Sequence, residues 1–225
     1  MNSLLKHQYG AIWYELSKSL MDFRGALKTT TLPDEEYPYH KLLQEIYFLP
    51  KIILSDYLRE SLCKQNAPNV GSVTGIFFEE LIASLVSSKI SSDIIVYRNY
   101  SDSDVLKKSP LQISDPDIYI RKGNKHFIIE TKFVAHTSTI VAVESQLESM
   151  PVNENDRSTR VFSNQLIQYY LIGGWSSIDF AKLSDSYPYD WLCLLDGSET
   201  NIETINSLRF TKFDSILKEL SRFLS

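Results

Sequence analysis

Apolar side chains at Leu5, Tyr9, Ile12, Leu16, Leu20, Phe23 and Leu27 recur at steps of three and four. That spacing predicts one amphipathic helix over residues 4–28. Two prolines and a group of acids in TTTLPDEEYP, Thr29 to Pro38, break the pattern and predict a loop. A second helical stretch starts at His40, with Pro50 kinking it or splitting it in two. KQNAPNVGS, Lys64 to Ser72, interrupts again. Residues 1–70 are therefore expected to form a helical N-terminal region, and residues 71–225 a core domain with a closing helix.

Beyond Ser72 the pattern alternates between two periods. SVTGIFFEELIASLVSS predicts a helix, with Ser72 or Thr74 as its N-cap. DIIVYR, Asp93 to Arg98, is short and β-branched and predicts a strand; a polar loop with Lys107 and Lys108 follows. DIYI and HFIIETKF flank the turn RKGNK centred on Gly123, which together predict a hairpin. STIVAV is expected as a further short strand and NENDRSTR as a charged loop. VFSNQLIQYYLI is expected as a helix stopped by Gly173 and Gly174. DWLCLLD, Asp190 to Asp196, reads as a buried strand, and KFDSILKELSRFL as an amphipathic helix. The core order helix, strand, strand, strand, helix, strand implies an α/β domain around a central sheet.

Composition narrows the class but not the chemistry. Hydrophobic residues at 43% and charged ones at 23% of 225 suit an ordinary globular protein, and aromatics at 12% argue against disorder. No apolar run spans a bilayer, the N-terminal residues lack a secretory order, and Cys63 and Cys193 match no metal spacing. A cytoplasmic setting, without membrane association, is expected. The net charge of −5 disfavours a protein that coats nucleic acid nonspecifically. It leaves room for a DNA enzyme, because a local basic cleft is compatible with an acidic exterior.

The chemistry gathers at the predicted hairpin. Pro116 stiffens the approach to Asp117, and Glu130 and Lys132 lie on one face near the end of the partner strand. Charges on an inward face need a reason. Two carboxylates held close raise each other's pKa unless a cation intervenes, and a hard divalent ion with oxygen ligands is the natural cation. Such an ion neutralises phosphate and activates water, while Lys132 can orient or deprotonate that water. Upstream, Glu79 interrupts an apolar helix and is the candidate to ligate a second ion or hold the water.

These residues resemble a known family. Pro116-Asp117 followed by Glu130-Thr131-Lys132 is similar to the PD-(D/E)xK motif of the restriction-endonuclease-like nuclease superfamily. Gly75, Phe78 and Glu79 resemble that family's G-x-x-F-E first helix, and Gln165-Leu-Ile-Gln-Tyr169 its Q-h-x-x-Y helix in RecB-type members. The resemblance spans Gly71 to Asp196; the N-terminal helices match nothing in it. It implies a core with a central mixed sheet flanked by helices. It also implies a Mg²⁺-dependent endonuclease (Mn²⁺ substituting) that acts on double-stranded DNA, most like a prokaryotic type II restriction enzyme working as a homodimer. Asp117, Glu130 and the Thr131 carbonyl would ligate metal, Lys132 would serve the water, and Glu79 would complete the site. Gln165 and Tyr169 would contact DNA, and Arg157 and Arg160, by their position on the approach to the site rather than by the resemblance, are candidates to bind its phosphates.

Blander readings compete at each position. Glu130 and Lys132 also suit a solvated strand end, Asp117 a turn after proline, and Glu79 an outward helical face with Glu80 as its rival. His126 and His136 read as ordinary strand residues, and Arg121, Lys122 and Lys125 as a solvated turn. The functional alternatives are a RecB-type exonuclease or repair or defence nuclease, and a non-catalytic DNA-binding or assembly subunit.

Overall fold

A computed structural model describes residues 70–87, 96–98, 116–179, 182–183, 191–196 and 212–225, with further positions at 18, 21–22, 39, 42–44 and 46–48. The chain divides into two compact units, Met1–Ser84 and Leu85–Ser225. Most of the helix expected over residues 4–28, the loops around Pro33 and Lys107, and most of the break from Lys64 lie outside the described residues. Val70–Ser72, at the end of that break, are already helical, so neither Ser72 nor Thr74 is the N-cap expected of them. Lys18, Met21 and Asp22 are helical and exposed. In the second expected helix Leu42, Leu43 and Ile46 are buried while Gln44, Tyr47 and Phe48 are exposed, an amphipathic face at helical spacing.

Helix α1 (Val70–Ser87) forms where apolar residues dominate every side: Val73, Phe77, Phe78, Leu81, Ile82 and Val86 are all buried. A helix apolar all round is an interior helix.

The second unit is an α/β arrangement built on a mixed sheet. Its strands are β1 (Val96–Arg98), β2 (Ile118–Lys122), β3 (Lys125–His136), β4 (Val152–Asn153), β5 (Asp156–Phe162), β6 (Gln165–Ser177) and β7 (Leu192–Leu194). Helix α2 (Thr137–Glu148) follows β3, and α3 (Phe213–Leu224) closes the chain. Strands run in the order β1-β2-β3-β6-β5-β4, with β7 also on β6. The first three form an antiparallel meander, whereas β6 runs parallel to β3 from Lys125↔Leu166 to His136↔Ser177. Further along its other edge, β6 pairs first with β5 and then with β7.

Three expectations fail here, each for a physical reason. The segment from Gln165 is strand β6, not a helix. Ile167 to Ile172 are all buried because sheet neighbours and both faces are covered, and such a run carries no alternation to distinguish it from a helix. Ser163 and Asn164, with φ of 46° and 65°, make the tight turn that enters it from β5. STIVAV belongs to helix α2, because Ile140, Val143 and Leu147 are buried at helical steps. NENDRSTR is largely β4 and β5; Thr159 is buried at the pairing with Gln168, despite the polar composition.

Gly173 therefore does not stop a helix but sits where strands crowd. A Cβ there would lie 2.8 Å from Leu194 Cδ2 and 2.9 Å from Ala135 Cβ. The leucine tip can swing aside; the alanine methyl cannot. Gly173→Ala is expected to destabilise the fold by about 1–3 kcal/mol, read as a lower urea midpoint at unchanged slope.

Helix α3 lies against β3 and β6. Phe223 packs edge-on to Phe127 at 6.1 Å between centroids, and the Tyr170 hydroxyl donates to Glu219. Lys125 donates to the Phe223 carbonyl at 2.8 Å and Lys122 to the Ser225 carbonyl at 3.3 Å. Both lysines thus satisfy carbonyls at the helix C-terminus, where the dipole favours positive charge. They are helix anchors rather than members of a merely solvated turn.

Candidate active site

Hairpin register brings the central residues together. Ile118 pairs with Ile129, and one rung further places Asp117 opposite Glu130 on the same face. Lys132, two residues on, shares that face with Glu130, and its ammonium is bonded to Glu130 Oε1. Asp117 is anchored from the strand edge. Its Oδ2 accepts the Thr131 backbone N–H at 2.7 Å and the Thr131 hydroxyl at 2.9 Å. Backbone N–H and C=O of one residue leave an antiparallel strand on the same side, so the Thr131 carbonyl also points toward Asp117.

The electrostatics fit a crowded anionic pair. Burial, followed by the Asp117 charge, holds the Glu130 carboxyl above its ordinary 4.5, against the opposing pull of Lys132. Neither charged group is sealed off: the Lys132 side chain is 39% exposed and that of Glu130 19%.

Tyr169 joins this group. It pairs with Ile128, one same-face step before the Glu130–Leu171 rung, a diagonal distance that an aromatic side chain spans. Burial, then the charges of Glu130 and Asp117, push its phenol well above 10.0, so it stays neutral. Its ring meets Trp191 edge-on at 6.4 Å.

Gln165 does not join it. Its Oε1 lies 2.6 Å from His126 Nε2, and His126 Nδ1 lies 2.7 Å from the Tyr119 hydroxyl. His126 is four residues before Glu130 on β3, roughly 13 Å along the strand. Gln165 and Tyr169 do share a face, but because four is an even step on a strand rather than one turn of a helix. The likeness to a Q-h-x-x-Y helix therefore falls. Arg160 pairs with Ile167, itself the partner of His126, and so lies at the same distant rung. Arg157 is on β5, and its side chain lies outside the described residues.

Glu79 lies on α1 in the first unit and is buried, as is Glu80, so neither is an outward solvated acid. Among the described residues, no three or more His, Cys, Asp or Glu side chains gather at metal-binding range. Two carboxylates and a carbonyl remain, a hard oxygen set. Mg²⁺ commonly accepts one or two carboxylates, completing its shell with water and phosphate, so the residues present fit that ion.

The chain Tyr119–His126–Gln165 escaped the sequence reading. Tyr119 and His126 are seven residues apart within the hairpin, but Gln165 lies 39 residues beyond His126, and only the parallel register of β6 on β3 joins it to them. Burial, the largest influence, keeps His126 below its ordinary 6.5, with Arg121 acting in the same direction and the Gln165 bond opposing it. An unfolded chain takes up this proton at 6.5, and the folded one only at lower pH. Stability is thus complete above 6.5 and declines as pH falls through it. The melting temperature is expected to drop between about pH 7.5 and pH 6, and less so in His126→Gln. Glu130, whose carboxyl is held above its ordinary 4.5, acts in the opposite sense, since the folded chain takes up that proton more readily than the unfolded one.

No helix among the described residues is long and apolar enough to cross a membrane. Comparison with family models, curated proteins and solved structures finds no match.

Proposed function

We propose that the chain is a Mg²⁺-dependent endonuclease that hydrolyses phosphodiester bonds of double-stranded DNA, as a PD-(D/E)xK nuclease most like a type II restriction enzyme. The observation that carries this is the convergence of Asp117, Glu130 and Lys132 at one sheet face, with the two acids close enough for one to raise the other's pKa. The succession α1, β1, β2, β3, α2, β6, with β6 parallel to β3, adds support, since it is the core order the resemblance implies. Insertion of β4 and β5 before β6 is an elaboration of that order.

Asp117 and Glu130, with the Thr131 carbonyl, would hold the ion. Bound there, it would neutralise the scissile phosphate and render a water nucleophilic. The protein's own part is positional. Thr131 fixes Asp117 through two hydrogen bonds, and Lys132 offers an ammonium that can leave Glu130 to orient the water and offset developing charge. Neutral Tyr169 closes the floor beside the acids. Glu79 enters this reading by resemblance alone. Paired cuts in a symmetric sequence would require two copies related by a twofold axis.

The test is incubation with a long DNA, with and without Mg²⁺, followed by sequencing of the ends. Ends sharing a short symmetric sequence support the reading. Degradation from termini would mean an exonuclease, and intact DNA at every Mg²⁺ concentration would leave a non-catalytic subunit.

A further inference from the structure

The ammonium of Lys132 rests on the carboxylate that the nuclease reading assigns to the metal. Lys132 and Glu130 share a strand face, and Nζ reaches Glu130 Oε1. Asp117, on the opposite rung, has its Oδ2 held by Thr131, so its charge stays beside Glu130. One cation already balances this pair, and it is tethered to the protein.

We propose that Lys132 is the resident counter-ion of the Asp117–Glu130 pair and competes with the divalent cation for the Glu130 carboxylate. The inference rests on the nuclease reading and adds to it a built-in restraint on ion binding. A Mn²⁺ or Mg²⁺ ion arriving at Glu130 must either displace the ammonium from Oε1 or share the carboxylate with it, and the attraction lost or the repulsion incurred is subtracted from its affinity. The exchange is mechanically simple. At 39% exposed, the lysine head can swing into water without unpacking the core, keeping its stem on the sheet. The cation affinity of the resting protein is accordingly lower than two adjacent carboxylates and a carbonyl would give by themselves.

Calorimetric titration with Mn²⁺, without DNA, tests this in four forms of the full chain. Lys132→Met keeps the stem and removes the charge; it is expected to bind Mn²⁺ about tenfold more tightly than the unaltered protein. Lys132→Arg keeps the charge and should stay near the unaltered affinity, which also covers the case of a poorly folded methionine variant. Asp117→Asn should bind more weakly. If Mn²⁺ binds and Asp117→Asn weakens it, but Lys132→Met binds no more tightly, the counter-ion role is overturned and the ion site stands. If no form binds Mn²⁺, or Asp117→Asn binds as well as the unaltered protein, the ion site itself falls, and the nuclease reading with it.

Discussion

Lys132→Ala is expected to lower Mg²⁺-dependent DNA cleavage by about a thousandfold or more, while DNA binding and the unfolding transition stay largely intact. The reason lies in where the side chain sits. Its ammonium is bonded to Glu130 beside the proposed ion site, and no other described cation is bonded to either acid of the pair. Losing it removes the group that would orient water and balance charge in the transition state, where preorganised charge acts most strongly. Folding depends on it little, because the pair is partly exposed and such pairs contribute weakly to stability. Gel quantification of single-turnover cleavage, beside a thermal melt, checks both halves. Cleavage at the unaltered rate would refute the assignment of Lys132.

Asp117→Asn is expected to reduce cleavage on a similar scale, about a thousandfold, and to weaken Mn²⁺ binding as well. The substitution is nearly isosteric. An asparagine oxygen can still accept the Thr131 N–H and hydroxyl bonds now held by Oδ2, so the local backbone has no cause to move. What disappears is one negative charge of two. That loss should also let the Glu130 carboxyl fall back toward 4.5, since the Asp117 charge is the second cause of its elevation. NMR titration of the Glu130 carboxyl would show the drop, and calorimetry the loss of Mn²⁺ affinity. An asparagine variant that cuts and binds Mn²⁺ like the unaltered protein would place the ion elsewhere.

The centre of the candidate site was legible in sequence because a hairpin is a local object. Gly123, with φ of 60°, makes the turn, and the flanking strands must then pair so that Asp117 meets Glu130. The spacing of Glu130 and Lys132 by two puts them on one face without reference to the rest of the fold. The site's floor was not legible in this way. Tyr169 reaches the acids only because β6 runs parallel to β3 in one register, and Gln165 is carried away from them by that same register. Equally, the engagement of Lys122 and Lys125 with the end of α3 joins residues about a hundred positions apart, beyond any local pattern.

By itself, the sequence determined those elements whose apolar pattern has one solution: the all-round apolar α1, the hairpin of β2 and β3, the short buried β7 and the amphipathic α3. Only the tertiary structure decided the stretch from Thr137 to Ser177. There a helix, two polar strands and the long inner strand replaced the strand, loop and helix that local propensity suggested. The physical reason is that an unbroken apolar run states that a segment is buried, not how its backbone polar groups are satisfied. For β6 the answer came from neighbours, since β3 on one edge and β5 and β7 on the other supply the hydrogen bonds that a helix would have made within itself.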